Sequence, residues 1–152
     1  MWILGREVLK NNEVCLICNQ QRPEVPEKGW CAAKHYAICQ PKSRGLLGYR
    51  KIGNCELRIG NNENLRLGGH IGYAVKEKYR GNHMAEKACR LLFEEAKRQK
   101  MPFVWITCSE NNVASRRTCE RLGCDLQEIV EIDSNQKKCI YIKNFAQDRW
   151  LT

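Results

Sequence analysis

The segment GHIGYAV (69–75), running into KEKYRGNHMA (76–85), decides how this chain is read. The first seven residues suit a buried strand, and the next ten make a basic turn around Arg80 and Gly81. A helical period begins at about Asn82 and runs to Arg98, with Ala85, Ala88, Cys89, Leu92 and Ala96 on one face. A turn that opens directly into a helix aims several unpaired backbone N–H groups at one point. The helix macrodipole adds partial positive charge there, so the geometry suits a phosphate or pyrophosphate. A second unit of the same kind follows, with a buried strand at 103–107 and a helix at 113–122 stopped by Gly123. A phosphorylated cofactor is expected.

Working outward, the order of elements is mixed α/β. A short polar lead precedes a first strand at 14–19, and further strands are expected at 35–39 and 52–59. Pro23, Pro26 and Gly29 break both helix and strand between 20 and 30. Residues 42–48 read as a turn-rich loop, and GNNEN within 60–68 is a strong turn signal. Strands at 124–132 and 138–144 close the chain as a hairpin around Asp133, Ser134 and Asn135.

Length and composition bound the function. The 152 residues are read as one domain, 1–152, long enough to bury about two-thirds of the unfolded surface. No apolar run reaches membrane-spanning length and MWILGREV lacks a signal-peptide core, so a cytoplasmic location without membrane contact is expected. The ten cysteines then read as small buried hydrophobes rather than a disulfide framework. The alternative is a zinc site from Cys15 and Cys18 with Cys31 and Cys39 or His35. The second pair is too widely spaced for the usual pattern, and residues three apart on a strand point to opposite faces, so no metal is assigned. A formal charge of +9 suits a polyanion, and Lys76, Lys78, Arg80, Lys87 and Arg90 gather around the turn and its helix. Arg116, Arg117 and Arg121 form a second patch, and no nucleic-acid motif accompanies either.

The turn Arg80-Gly81-Asn82-His83-Met84-Ala85 resembles the acyl-CoA signature of the GNAT superfamily of N-acetyltransferases, Arg/Gln-x-x-Gly-x-Gly/Ala, with His83 where the signature has Gly. The segment WITCSENNVASRRTCERLGC (105–124) resembles the family's second landmark, at Asn112, Ser115, Leu122 and Gly123. The resemblance covers roughly residues 14–152. It implies an α/β (α+β) GNAT fold. The expected sheet is mixed and mostly antiparallel, with six to seven strands splayed between the fourth and fifth and flanked by helices. It also implies acetyl-CoA as cofactor. One departure is that the stretch after the first strand is too short for the family's two helices. An open acceptor side is therefore expected, completed by a partner subunit (a homodimer is one form) or by a large substrate.

The resemblance also carries residue roles. Tyr73, Ala74 and Val75 would bind the pantetheine arm through their backbone, the alternative being plain sheet pairing. Arg80, Gly81, Asn82, His83, Met84 and Ala85 would hold the pyrophosphate, with His83 expected at negative φ in the first helical turn. Asn112 and Ser115 would contact the cofactor, Asn112 being equally suited to cap the helix. Ala74 or Val75 would donate to an oxyanion. Cys119 stands where many members carry a Tyr acid, the alternative being a buried thiol. His70, on the cofactor strand, is the first candidate base and Glu56 the second, unless water relays the proton. The implied activity is acetyl transfer from acetyl-CoA to a primary amine (on a small molecule or a protein) by direct attack in a ternary complex. The alternatives are a silent acyl-CoA-binding module and a basic nucleic-acid or ribosome binder.

Overall fold

Alternation of buried and exposed side chains builds the larger of two sheets. The computed structural model describes residues 2–3, 5–41 and 48–146. Six strands lie side by side in chain order, each antiparallel to the next: β1 (Trp2–Ile3), β2 (Arg6–Lys10), β3 (Cys15–Arg22), β4 (Ala32–Pro41), β5 (Tyr49–Ile59) and β6 (Ile71–Val75). The smaller sheet holds β7 (Phe103–Ser109), β8 (Asp125–Asp133) and β9 (Gln136–Asn144) in the order β7-β9-β8. The splay expected between the fourth and fifth strands falls between β6 and β7.

Three helices complete the described residues: α1 (Asn64–Gly68), α2 (Met84–Arg98) and α3 (Val113–Arg121). Helix α2 buries Ala88, Cys89, Leu92 and Ala96 against Leu16, Tyr36, Cys55 and Leu57 of the large sheet. The same cluster continues into Val104, Ile106 and Tyr141 of the small sheet. A fully buried leucine such as Leu92 is worth about 1.5–3 kcal/mol of transfer free energy, so α2 is the main fastener of both sheets. Its one buried carboxylate, Glu95, sits 3.6 Å from Lys34 Nζ, which also reaches Glu7 Oε2 at 2.9 Å. None of the described helices is long and apolar enough to cross a membrane.

The structure departs from the sequence reading at three places. Two strands, β1 and β2, precede the expected first strand, so the described residues form nine strands where six or seven were expected. In the lead expected to be short and polar, Val8 and Leu9 are buried and pair with Ile17 and Leu16. Residues 64–68, expected as turn, form α1, which packs on β7. Helix α2 starts at Met84 rather than Asn82, because His83 is left-handed, at φ +59°, and not helical as expected. The loop expected at 42–48 lies almost entirely outside the described residues. Between β3 and β4 the described chain holds only a 3-10 turn, Pro26–Lys28, ended by left-handed Gly29. No α-helix covers that stretch.

Candidate active-site cleft

The phase of the β5–β6 ladder determines what the cleft strand offers. Arg58 N donates to His70 O, and Lys76 N donates to Ile52 O. Alternation between these bonds spends the backbone of Gly72 and Ala74 on β5 and turns that of Ile71, Tyr73 and Val75 toward the splay. Among the expected oxyanion donors, Ala74 N–H is therefore committed to the sheet, while Val75 N–H faces the gap. Tyr73 N–H joins it. Buried backbone groups without a ladder partner need one from elsewhere, which is the condition for an extended ligand to lie there as a surrogate strand.

The splay is pinned shut at one end. His70 N donates to Trp105 O at 2.8 Å, and Trp105 N donates to His70 Nδ1 at 2.9 Å. His70 Nε2 lies 2.9 Å from Gly60 O, so the ring is the neutral Nε2–H tautomer. Burial pushes its pKa down, outweighing the Gly60 hydrogen bond that favours the charged form. With both nitrogens committed and only 1% of its surface exposed, His70 is a clip between the sheets, and the geometry leaves it no lone pair to act as a base.

At the open end, the turn before α2 carries two left-handed residues, Gly81 at φ +87° and His83 at φ +59°. A Cβ added at Gly81 would meet nothing within 4 Å, so glycine is required there by backbone conformation and not by crowding. Histidine is one of the few side chains tolerated in this region, which is how His83 occupies a signature glycine position. No side chain caps the first turn of α2, so its N–H groups remain for a ligand. Arg80 turns inward, with Nε donating to Val75 O at 2.8 Å, and so locks the turn to the end of β6.

Helix α3 forms the opposite wall. Asn112 caps it, accepting from Ser115 N at 3.1 Å. Ser115 Oγ in turn accepts from Tyr73 O–H at 3.1 Å, a bridge across the mouth of the splay. Burial is the main cause that pushes the Tyr73 hydroxyl up to about 12. A cleft of about 500 Å3 lies between these walls. Tyr73, Ala74, Val75, Arg80, Gly81, His83, Met84, Ala85, Asn112 and Ser115 line it; Asn82 is exposed in the turn and is not part of the lining. The sequence singles out neither Tyr79 nor Thr118, and Arg117 and Arg121 only as part of a basic patch, yet the cleft is also lined by Tyr79, Arg117, Thr118 and Arg121. The last three share one face with Ala114 at helical spacing, a signal available once α3 was known to face the turn. Unpaired donors, helix dipole and arginines fit a polyphosphorylated ligand with a strand-like arm.

Two expected catalytic residues lie elsewhere. Cys119 is fully buried and outside the lining. Gly123, at φ +75°, ends α3 in a Schellman motif, with Gly123 N bonded to Glu120 O and Cys124 N to Cys119 O. The Cys119 and Cys124 thiols make the side-chain contact usual in that motif. That hydrogen bond, followed by burial, pushes Cys119 far up and removes it as an acid. Glu56 sits on the sheet face turned away from α2, half-buried, with Arg58 Nη2 at 2.7 Å from Oε1 and His35 Nδ1 at 3.4 Å from Oε2.

A splayed α/β sheet with an uncapped helix N-terminus at its mouth defines the class of site: one suited to an extended ligand that carries phosphate. A family model described as acetyltransferase (GNAT) domain matches residues 14–125, and the chain belongs to this family, whose domain uses acetyl-CoA. RimL, a ribosomal L7/L12 alpha-N-protein acetyltransferase solved with coenzyme A, superposes with a TM-score of 0.65 at 14% identity over 91% of this chain and 98% of its own. A putative GNAT-family acetyltransferase from Bordetella pertussis gives 0.64 at 18% identity over 91% and 99%. MccE, a microcin self-immunity acetyltransferase with acetyl-CoA and AMP, gives 0.56 at 21% over 74% and 61%. At these identities the likeness is one of fold. A comparison with curated protein sequences finds no match.

Proposed function

We propose that this chain is an N-acetyltransferase that moves an acetyl group from acetyl-CoA to a primary amine by direct attack in a ternary complex. The observation that carries the reading is the meeting, in one cleft, of unladdered β6 backbone with the uncapped N-terminus of α2. When bound, acetyl-CoA supplies the acetyl thioester. The N–H groups of the first turn of α2, with Arg117 and Arg121, are the donors for its phosphates. Tyr73 and Val75 pair with its arm through their backbone and offer N–H groups where carbonyl charge develops. Burial pushes the Tyr73 hydroxyl up to about 12, so it keeps its proton; reversal of its bond with Ser115, with Ser115 Oγ–H donating to the phenol oxygen, frees that proton for a departing thiolate. Tyr73 takes over the role first given to Cys119.

The acceptor is an amine presented by a protein. Support comes from the absence of an α-helix between β3 and β4, which leaves nothing there to enclose a small molecule. The fold likeness to RimL, which acts on a protein α-amine, agrees with this. The test is calorimetric titration with acetyl-CoA at physiological salt. Wild type should bind at micromolar concentration, and Gly81→Asp, which sets a carboxylate against the helix N-terminus, should weaken binding at least about tenfold. No binding by the wild type would overturn the reading.

A further inference from the structure

A second polar array lies on the sheet face turned away from α2, where an acceptor would approach. Register assembles it: His35 on β4 stands opposite Glu56 on β5, and Glu56 stands opposite Gly72 on β6. Arg58 anchors one end. Its Nη1 donates to the carbonyls of Gly68 and Gly69, both at 3.2 Å, while Nη2 holds Glu56 Oε1 at 2.7 Å. The other carboxylate oxygen, Oε2, is 3.4 Å from His35 Nδ1. A Cβ at Gly72 would come within 3.3 Å of Glu56 Oε1, so the bare glycine lets this carboxylate lie directly on the cofactor strand. The next residue, Tyr73, turns its backbone into the cleft.

We propose that His35 is the general base for the acceptor amine, with Glu56 as the carboxylate that positions it. The proposal rests on the acetyltransferase reading. Both oxygens of Glu56 already face partners, Arg58 on one side and His35 on the other. Among the described residues nothing bonds to His35 Nε2, and the ring side chain is 33% exposed. Nδ1 faces Glu56 Oε2 at 3.4 Å, an electrostatic contact that favours the proton on Nδ1 and leaves the Nε2 lone pair available, the logic of a carboxylate-oriented imidazole. Two strand spacings, about 10 Å of backbone, separate His35 from β6; Glu56 lies across that span at the surface of the sheet, and the amine with one bridging water would complete the path from His35 Nε2 above it.

The step balances with groups already in place. His35 Nε2 takes a proton from the amine, through the water, as the amine nitrogen bonds to the acetyl carbon. The carbon–sulfur bond breaks, and the thiolate takes the Tyr73 hydroxyl proton, which solvent replaces through Ser115. The imidazolium returns its proton to water. Base and acid thus stand on opposite faces of β6.

Two measurements test this. Long-range nitrogen–proton NMR of histidine-labelled protein, without any ligand, should show His35 protonated at Nδ1, with the tautomers mixing in Glu56→Ala. A His35 protonated at Nε2 in the wild type would overturn the proposal. In the second, acetyl-CoA and a pool of short peptides with free α-amines, together carrying all twenty N-terminal residues, are assayed by thiol release. His35→Ala should lose about 100-fold or more in kcat, keep its acetyl-CoA affinity by calorimetry, and regain activity saturably with added imidazole. Undiminished kcat, or a loss that imidazole does not restore, overturns the base alone. A wild type that binds acetyl-CoA but releases no thiol with the pool overturns the α-amine acceptor and the base assigned to it. A wild type that binds no acetyl-CoA overturns the acetyltransferase reading itself.

Discussion

Both ends of α2 are closed by side chains in conformations that glycine would adopt more easily. His83 precedes the helix at φ +59°, and Lys100 follows it at φ +61°. At the C-terminal end, Lys100 N bonds to Lys97 O and Met101 N to Ala96 O, a Schellman closure with lysine in the left-handed position. A left-handed L-residue costs about 1–2 kcal/mol, less for histidine, and part of any gain from glycine is lost to the freer unfolded chain. His83→Gly is therefore expected to stabilise the protein by about 0.5–1 kcal/mol, raising Tm by roughly 1–4 °C. Because His83 makes no side-chain cap, acetyl-CoA affinity should hold or rise. Scanning calorimetry with and without ligand checks both, and a lower Tm would mean that the imidazole makes a contact worth more than the strain. The sequence marked position 83 as unusual, but the sign of φ depends on how the turn from Lys76 docks against β6, through Arg80 and Val75.

Strands β6 and β7 are held together by one residue, through its backbone N–H and its ring, rather than by a ladder. His70 spans Gly60, β6 and β7, and its ring stacks on Trp105 at 5.3 Å between centroids. Burial holds the folded pKa of His70 below its ordinary value of 6.5, so the unfolded chain binds this proton more readily than the folded one. Stability from the clip is complete above about pH 6.5 and falls as pH drops from there toward the lowered folded value. Urea unfolding of the wild type from pH 7.5 down to 5 should show that decline. His70→Gln should be less stable at neutral pH by about 1–3 kcal/mol, since a buried N–H or carbonyl loses its partner, and should decline less on acidification. Equal slopes in the two proteins would remove His70 as the cause. The element was legible in sequence as a strand beginning with Gly69 and His70. The role was not, because Gly60 and Trp105 lie 10 and 35 residues away from His70.

One continuous core runs beneath both sheets, with Leu92, Ala88 and Cys89 of α2 touching residues of each. The splay is a gap in hydrogen bonding, and the apolar packing continues across it. We therefore expect a single cooperative unit. Thermal unfolding followed by far-ultraviolet circular dichroism should coincide with unfolding followed by fluorescence of its tryptophans, which include Trp105 in the small sheet. Separate transitions would mean that the sheets unfold independently.

Features set by neighbours in the chain could be read directly from the residues. The turn at Gly81, the cap at Asn112, the stop at Gly123 and the apolar face of α2 each depend on residues within one or two turns, where local sterics and hydrogen bonding decide the conformation. The division of labour among the three histidines could not. In sequence His35 stood as an alternative zinc ligand, His70 as the first candidate base and His83 as part of the phosphate turn, because ring chemistry is common to all three and suits each of these roles. Strand register sets His35 beside Glu56 and buries His70 between two sheets, while docking of the turn bends His83 into a glycine's conformation. Such pairings join residues far apart in sequence, and their energy comes from packing that exists only once the sheets have formed.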